Sequence, residues 1–537
     1  MTTPDPEAMR LAQAAMAALS RRDFAAVRNA GQALLLRRPD DPNGHQLLGI
    51  AALELGELDN AKRHLERASK AAPNQPQILN TLGVALRRLE DHPGARRAFR
   101  RAGELGLIDG WRNLGNLESV AHDDAASIAA YRKALKLAPD DAAAHAGLAQ
   151  AFERSHDLAL AKQHAERALS GDPRNETARL ALAEVLLRER QFDEADRVVF
   201  PVARRASTPA NQAVAWGLLG EARDRRGDAA GAFEAFTAAN QILLAQNAAL
   251  LEASHLIYHP DGVRRMTALV TRADVQAWRA PAFTDPAPVF LVGFPRSGTT
   301  LLDQVLSSHP DVACIEEKEH FANALAGVIT DQAKLDALED LSAGEIAAAR
   351  ADYWARVRGE GVAPDTPVVV DKLPLNIVVL PLIKRVFPDA KIIFALRDPR
   401  DVILSCYQQR FGMNAAMAQF LELERAAAYY DAVMTLMQAS RERLALDLHQ
   451  IRYEDVVADL ESAARGLAAF LGLAFDERML RFNETAMKRA IRTPSARQVI
   501  QPLYARSSGR WRRYAAELAP ALPLLDPWAV RFGYEPA

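Results

Sequence analysis

The spacing of apolar residues divides the 537-residue chain into two parts with different periodicities. Up to about residue 245 the chain is rich in Ala, Leu, Arg and Glu and has almost no β-branched runs, which favours helices. From residue 288 onward, short apolar runs alternate with stretches of helical spacing. This alternation is typical of βαβ units, in which helices cover both faces of a parallel sheet.

The first part repeats with a period close to 34 residues. A Leu-Gly or Leu-Ala pair recurs, a small residue follows twelve positions later, and in most repeats a larger apolar or aromatic residue comes four positions after that. Small residues let two helices approach closely, and the larger ones fill the gaps between pairs. The pattern resembles six or seven consecutive tetratricopeptide repeats, with Trp111 and Trp216 at the Trp position of that family. The second residues of the recurring pairs are Gly49, Gly83, Gly115, Ala149, Ala183 and Gly220.

We therefore expect a tetratricopeptide repeat array over residues 1–245, folded as an α-solenoid with a concave face. Such a face usually binds a protein or peptide partner, although a structural spacer or an oligomerisation arm is the alternative. Residues 246–287 contain several prolines and are predicted to be a linker.

The second part, residues 288–537, is predicted to be a P-loop-like α/β domain with a central parallel sheet. Apolar runs predict strands at 289–292, 368–370 and 391–396, and a strand ending near 449–453. Helices are predicted after them, including 375–387 and 456–471. Ligands of such sheets bind at the carboxyl ends of the strands.

A glycine-rich turn follows the first of these strands and precedes a helix. The spacing from Gly293 to Gly298 is that of a P-loop, but Thr299 stands where an ATPase or GTPase carries Lys. Arg296 is the cation within the turn. A 5′-phosphate ester bound without a metal fits this turn better than a γ-phosphate with Mg²⁺.

Composition argues against several classes of protein and of binding site. The net charge of −2 argues against a general nucleic-acid binder. The cysteine content, Cys314 and Cys406, supports neither a disulfide framework nor a cysteine metal cluster. The polar amino terminus lacks the apolar core of a signal peptide, and no 18-residue apolar window predicts a transmembrane segment. A cytoplasmic location is the default expectation.

The turn sequence Pro-Arg-Ser-Gly-Thr-Thr-Leu resembles the 5′-phosphosulfate loop of sulfotransferases, and most closely that of the tyrosylprotein sulfotransferases. These enzymes transfer a sulfuryl group from 3′-phosphoadenosine 5′-phosphosulfate (PAPS) to a hydroxyl group. The resemblance implies that PAPS is the donor substrate and that no metal is needed. It assigns the 5′-phosphosulfate to Arg296, Ser297, Gly298, Thr299 and Thr300.

Further segments resemble the rest of the family's nucleotide site. The segment beginning at Arg397 is similar to the 3′-phosphate motif, with Arg397 and Ser405 in the binding positions. A third position, often Arg in the tyrosylprotein enzymes, is Gln409 here with Arg410 beside it, which leaves the third contact open. The resemblance also places Tyr453 and Arg510 against the nucleotide.

The resemblance assigns the catalytic roles to three residues. Glu317, the second Glu of a Glu-Glu pair, is the expected general base. Lys372 and Ser495 are expected to stabilise the charge on the departing group. His320 is the rival base, because small-molecule sulfotransferases use a His.

The sequence thus predicts a PAPS-dependent sulfotransferase whose acceptor is a protein or peptide tyrosine. Sulfation of a saccharide, lipid or small-molecule hydroxyl is the alternative acceptor class. A scaffold with an inactive nucleotide-binding domain would carry broken catalytic positions, whereas Glu317 and Lys372 are present. A nucleotide kinase would carry Lys after Gly298, and this chain does not.

Overall fold

The chain divides into two compact units, Met1–Ala222 and Arg223–Ala537. The computed structural model describes residues 6–274, 278, 283, 286–484 and 508–537. The boundary between the units lies before residue 245, where the sequence predicts the end of the repeats. The domain limits of 1–245, 246–287 and 288–537 stay predictions.

From the first to the twelfth helix of the first unit, consecutive helices pack against each other. The connections between them are short, and Asp or Asn side chains cap several amino termini by accepting backbone N–H groups. The helices are α1 (Pro6–Ser20), α2 (Phe24–Arg37), α3 (Pro42–Glu54), α4 (Leu58–Ala71), α5 (Pro76–Arg88), α6 (His92–Glu104), α7 (Ile108–Val120), α8 (Asp124–Leu137), α9 (Ala142–Arg154), α10 (Leu158–Gly171), α11 (Glu176–Arg188), α12 (Phe192–Arg205) and α13 (Pro209–Arg226), the last of which extends into the second unit.

The recurring small and large residues meet between the helices of several repeats. A Cβ atom added at Gly49 would lie 2.5 Å from Leu65, and one added at Gly83 would lie 2.6 Å from Phe99. Both distances are shorter than real Cβ contacts, so the helices can pack this closely only with glycine at those positions. The predicted helical solenoid is confirmed.

The second unit is built on a sheet that has five parallel strands in the described part of the chain, in the order β2-β3-β1-β4-β5. The predicted α/β class with a central parallel sheet is confirmed. The strands are β1 (Val289–Gly293), β2 (Val312–Glu316), β3 (Val368–Lys372), β4 (Lys391–Leu396) and β5 (Asp447–Arg452).

Helices lie before, between and after these strands. They are α14 (Ala229–Gln246), α15 (Ala248–Leu251), α16 (Pro260–Arg272), α17 (Thr299–Ser307), α18 (His320–Ala324), α19 (Ala326–Ile329), α20 (Gln332–Asp336), α21 (Ala343–Gly359), α22 (Leu380–Val386), α23 (Pro399–Gln408), α24 (Leu423–Arg443), α25 (Tyr453–Ala458), α26 (Leu460–Leu471), α27 (Ala515–Leu518) and α28 (Leu522–Arg531). Short 3₁₀ helices lie at Leu338–Asp340, Pro374–Val379, Met417–Leu421, Glu477–Arg481 and Arg510–Tyr514.

Each face of the sheet is covered by its own hydrophobic core. Phe290 and Phe394 belong to one core, whereas Leu291 and Ile393 belong to the other. Side chains alternate between the two faces of a strand, and both faces are buried here. This explains why the inner strands β1, β3 and β4 contain apolar runs in the sequence.

Helix α14 belongs to the core of the second unit, although its sequence continues the repeat pattern. Phe236 is buried in that core. The hydroxyl groups of Thr237 and Tyr407 lie 2.7 Å apart, and Asn240 donates from Nδ2 to the Tyr407 carbonyl oxygen at 3.0 Å. The second unit therefore includes more of the chain than the predicted domain that starts at residue 288.

Two predicted helices differ in detail from the observed ones. The stretch predicted as a helix over 375–387 begins as the 3₁₀ helix and becomes α22 at Leu380, where Pro381 has no N–H to continue the earlier helix. The stretch 456–471 falls into α25 and α26, because Asp459 caps α26 by accepting the Ser462 N–H. Within the described ranges, no helix is both long enough and apolar enough to cross a membrane.

Candidate active site

The candidate site lies at the carboxyl edge of the sheet, where all the strands end together. Because these strands are parallel, the residues that follow them share one edge. The predicted site residues of the described chain follow or end strands there, with the exception of Ser405, which lies in α23, and Arg510, which lies in the carboxyl-terminal segment.

The glycine-rich turn connects β1 to α17. Gly298 caps α17 with φ +97°, and a Cβ atom at this position would lie 2.8 Å from Cδ2 of Tyr453. Arg296 also has a positive φ, +70°, which is uncommon for a residue other than glycine. Glycine at position 298 therefore permits both the backbone conformation of the turn and its close approach to Tyr453, which follows β5.

Hydroxyl groups line the buried side of this turn. Thr299 and Thr300 are 4% and 5% exposed at the start of α17. Ser297 is 2% exposed, and its Oγ has no hydrogen-bond partner among the residues that the structure describes. A buried hydroxyl without a partner costs free energy, and an acceptor on a bound anion would satisfy it.

Two arginines connect the turn to the segment after β4. Arg296 donates from Nε to Ser405 Oγ at 3.0 Å, and Arg397 donates from Nη1 to the Arg296 carbonyl oxygen at 3.1 Å. The Arg397 guanidinium lies 5.0 Å from the centre of the Tyr453 ring. The structure thus brings together the residues assigned to the 5′-phosphosulfate and those assigned to the 3′-phosphate.

The electrostatics of this cluster favour a negatively charged ligand. Burial, together with the nearby positive charges of Arg397 and Arg510, lowers the pKa of Arg296 to about 10. Guanidinium groups that destabilise one another in this way are stabilised by an anion placed between them. Among the described residues, no group of three or more His, Cys, Asp or Glu side chains is placed to hold a metal ion.

Glu317 and Lys372 form an ion pair at the ends of neighbouring strands. Lys372 is fully buried, and its Nζ donates to Glu317 Oε1 at 2.9 Å. The Glu317 backbone N–H donates to the Lys372 carbonyl oxygen at 2.8 Å, and Glu317 has φ +47°. Glu316 Oε1 lies 3.6 Å from the same ammonium. The two catalytic candidates are therefore in contact.

His320, the rival base, is engaged with a different carboxylate. His320 is the first residue of α18, and its Nε2 lies 3.2 Å from Glu360 Oε1. Partial burial lowers the pKa of His320 in spite of this carboxylate. The described contacts thus connect Glu317, and not His320, with Lys372.

The carboxyl-terminal segment closes over α23. Asp401 accepts the backbone N–H groups of Gly509 and Trp511 at 2.6 and 2.8 Å. Arg510 donates from Nη2 to Gln408 Oε1 at 3.0 Å and to Asp224 Oδ2 at 2.9 Å. Arg510 therefore lies beside the helix that carries Ser405.

The roles assigned to the site residues stay predictions. Ser495 lies outside the described residues. Gln409 donates from Nε2 to the Arg410 carbonyl oxygen at 3.1 Å, which does not decide which of the two would reach a 3′-phosphate.

Sequence reasoning overlooked Asp401 and Asp224, which fix the carboxyl-terminal segment. Asp401 lies in the segment Arg-Asp-Pro-Arg-Asp that begins at Arg397, so its closeness in sequence to Arg397 could have indicated a place near the site. Asp224 offered no local signal, because its partners lie almost 300 residues further along the chain.

Comparison with known proteins identifies one domain of the second unit and the repeats before it. A model of the sulfotransferase family matches residues 288–477, which contain the turn, the ion pair and the segment after β4. The second unit carries a sulfotransferase-family domain. Tetratricopeptide-repeat models match residues 47–105, 113–176 and 154–221 of the array before it. Repeats of this family generally mediate protein–protein interactions.

Individual relatives are distant. A protein of Aquifex aeolicus (strain VF5) is 27% identical over 274 residues, which cover 49% of this chain and 35% of that protein. Protein-tyrosine sulfotransferase A of Caenorhabditis elegans is 23% identical over 257 residues, 46% of this chain and 67% of its own length. Protein-tyrosine sulfotransferase 1 of Homo sapiens is 23% identical over 291 residues, 50% of this chain and 76% of its own length. The match thus spans about a third of the Aquifex protein.

Proposed function

We propose that this protein transfers the sulfuryl group of PAPS to a hydroxyl group, most favourably that of a tyrosine in a protein or peptide. The observation that carries the proposal is that two clusters of site residues lie at the same edge of the sheet, one around Arg296 and the other formed by Glu317 and Lys372. The turn with Arg296 contacts Ser405 and Arg397, and Glu317 pairs with Lys372. One cluster suits a doubly phosphorylated nucleotide, and the other suits proton removal from an acceptor.

The donor side uses the residues around the turn. Ser297, Gly298, Thr299 and Thr300 offer N–H and O–H donors at the amino terminus of α17, and Arg296 adds a positive charge. On the opposite side, Arg397 and Ser405 offer donors to the 3′-phosphate. The unpartnered Ser297 hydroxyl and the lowered pKa of Arg296 both fit a ligand rich in phosphate oxygens.

PAPS supplies an activated sulfuryl group, bound to a phosphate oxygen that leaves readily. In the proposed reaction, Glu317 accepts the proton of the acceptor hydroxyl as the new oxygen–sulfur bond forms. The bond between sulfur and the bridging phosphate oxygen breaks, and its electron pair stays on that oxygen. Lys372 and Ser495 stabilise the charge that grows there. The products are a sulfate ester and adenosine 3′,5′-bisphosphate.

Two observations favour a tyrosine acceptor. Distant relatives bear the name protein-tyrosine sulfotransferase. The tetratricopeptide repeats before the domain are of a family that generally binds other proteins, so the array would recruit the acceptor protein. A saccharide, lipid or small-molecule acceptor would leave the donor chemistry unchanged.

Transfer from radiolabelled PAPS tests the proposal. The full-length protein is incubated with the labelled donor and a lysate of its source cells, and the labelled species are identified by mass spectrometry. We expect label on protein tyrosine, with Glu317→Gln as the matched inactive control. Label on a sugar or lipid would overturn the acceptor assignment, and absence of label above the control would overturn the activity.

A further inference from the structure

Asp224 is a buried carboxylate on which three side chains of the carboxyl-terminal segment converge. It lies in the last turn of α13, inside the second unit, and is 7% exposed. Its Oδ2 accepts from Arg510 at 2.9 Å, and its Oδ1 accepts from the Tyr514 hydroxyl at 2.7 Å and from Arg513 at 3.2 Å. Arg513 also donates to the Asp224 carbonyl oxygen at 2.8 Å.

The charges of this cluster do not cancel. One carboxylate faces two guanidinium groups, so a net positive charge remains beside the candidate nucleotide site. Arg510 is close enough to Arg296 that its charge contributes to the lowered pKa of Arg296. Of the two guanidinium groups, that of Arg510 therefore lies where a polyanionic ligand would bind.

Contacts within the described part of the chain fix one edge of the Arg510 guanidinium and leave its other donors available. Nη2 donates to both Asp224 Oδ2 and Gln408 Oε1, which uses both hydrogens of that nitrogen. Among the residues that the structure describes, no hydrogen bond or ion pair engages Nε or Nη1 of Arg510. Asp401 holds the backbone on either side of Arg510 through Gly509 and Trp511.

We propose that Asp224 is a positioning residue that, with Gln408, orients Arg510 for binding the nucleotide of the proposed sulfotransferase reaction. This inference rests on the proposed function. A free arginine side chain samples many rotamers, and binding must then fix them at an entropic cost. The contacts with Asp224 and Gln408 fix Arg510 before the nucleotide arrives, which is pre-organisation of the site.

A double-mutant cycle in the full-length protein tests the proposal. Binding of adenosine 3′,5′-bisphosphate is measured by calorimetry for the wild type, Asp224→Asn, Arg510→Ala and the double variant. Asparagine nearly keeps the volume and removes the charge. We expect about tenfold weaker binding for Asp224→Asn, and no further loss when it is added to Arg510→Ala, because Asp224 acts through Arg510.

A matched control separates positioning from folding. Arg513→Ala removes another ion pair of Asp224 at a more exposed side chain, and it should leave bisphosphate affinity within about twofold. In transfer assays, Asp224→Asn should raise the KM for PAPS while kcat at saturating PAPS stays within about twofold. If the role of Asp224 is purely structural, Asp224→Asn should instead lower the melting temperature without raising the KM for PAPS selectively.

The outcomes are distinguishable. Unchanged or tighter bisphosphate binding by Asp224→Asn, or losses that add in the double variant, would overturn the positioning role and leave the sulfotransferase proposal intact. A wild-type protein that does not bind the bisphosphate at all would overturn both.

Discussion

The Glu317–Lys372 ion pair gives the sharpest prediction for a single substitution. Glu317→Gln keeps the shape of the side chain and removes the proton acceptor. A positioned general base contributes roughly 10²–10⁴ in rate, so we expect turnover to fall by that factor. This corresponds to about 3–5 kcal/mol of transition-state stabilisation.

The same substitution should have a smaller effect on stability. Lys372 is fully buried and would lose a charge-assisted hydrogen bond of 2.9 Å, which is worth about 1.5–3 kcal/mol. Two features place the cost at the lower end of this range. Glu316 stays within 3.6 Å of the ammonium, and about a third of the Glu317 side chain is exposed and hence screened by solvent.

The assay measures initial rates of sulfuryl transfer at saturating PAPS, with bisphosphate affinity and urea unfolding measured on the same preparations. Bisphosphate affinity should stay within a few-fold of the wild type. Glu316→Gln is the matched control, because it removes the same chemical group beside the same lysine, and His320→Gln tests the rival base. Both should retain most of the turnover.

The reasoning is refuted if His320→Gln or Glu316→Gln loses as much turnover as Glu317→Gln. A large loss in His320→Gln with normal turnover in Glu317→Gln would assign the base to His320. It would also weaken the case for a tyrosine acceptor, since the resemblance to tyrosylprotein enzymes includes the Glu.

Three further predictions follow from the contacts described. Arg397→Ala should lose about 2–5 kcal/mol of bisphosphate affinity in calorimetry, because it removes one partner of a buried charge pair; a loss below tenfold would argue against a 3′-phosphate contact. A fragment starting at residue 223 should give a cooperative melting transition, whereas one starting at residue 250 should not, because it lacks the α14 contacts with Tyr407; equal melting behaviour would contradict this. Burial raises the pKa of Asp371 to about 7. Between about pH 4 and 7 the folded state therefore keeps a proton on Asp371 that the unfolded state releases. This difference in proton binding should lower the free energy of unfolding as the pH rises through that range. Urea unfolding should show that Asp371→Asn removes this decline, and an unchanged pH dependence would contradict the assignment.

Local patterns predicted the helical repeats, the glycine-rich turn and four of the five strands of the described chain, but not β2. Glycine pairs with a larger residue in the repeats because helices must approach closely, as Gly49 and Leu65 do, and this requirement recurs at a fixed spacing. The buried strands were visible because both faces of the sheet are covered. The turn around Arg296 was visible because strand, glycines and helix start are consecutive in the chain.

Long-range contacts were not predictable in the same way. Nothing in the sequence near Asp224 indicates that Arg510 and Tyr514 will contact it. Likewise, the repeat pattern of α14 does not reveal that Asn240 and Phe236 pack in the second unit, since a helix with an apolar face can be buried against either neighbour. The pairing of Glu317 with Lys372 required the order of strands β2 and β3, which the strand predictions alone did not give.

The most direct test of the nucleotide site is a calorimetric comparison of adenosine 3′,5′-bisphosphate with AMP, in buffer that contains EDTA and no Mg²⁺. The site joins Arg296 to Ser405 and Arg397, so it should bind the bisphosphate tightly. AMP lacks the 3′-phosphate and should bind at least about tenfold more weakly, since truncating one partner of a buried charge pair costs several kcal/mol. Equal affinity for the two nucleotides, or binding that requires Mg²⁺, would contradict the account.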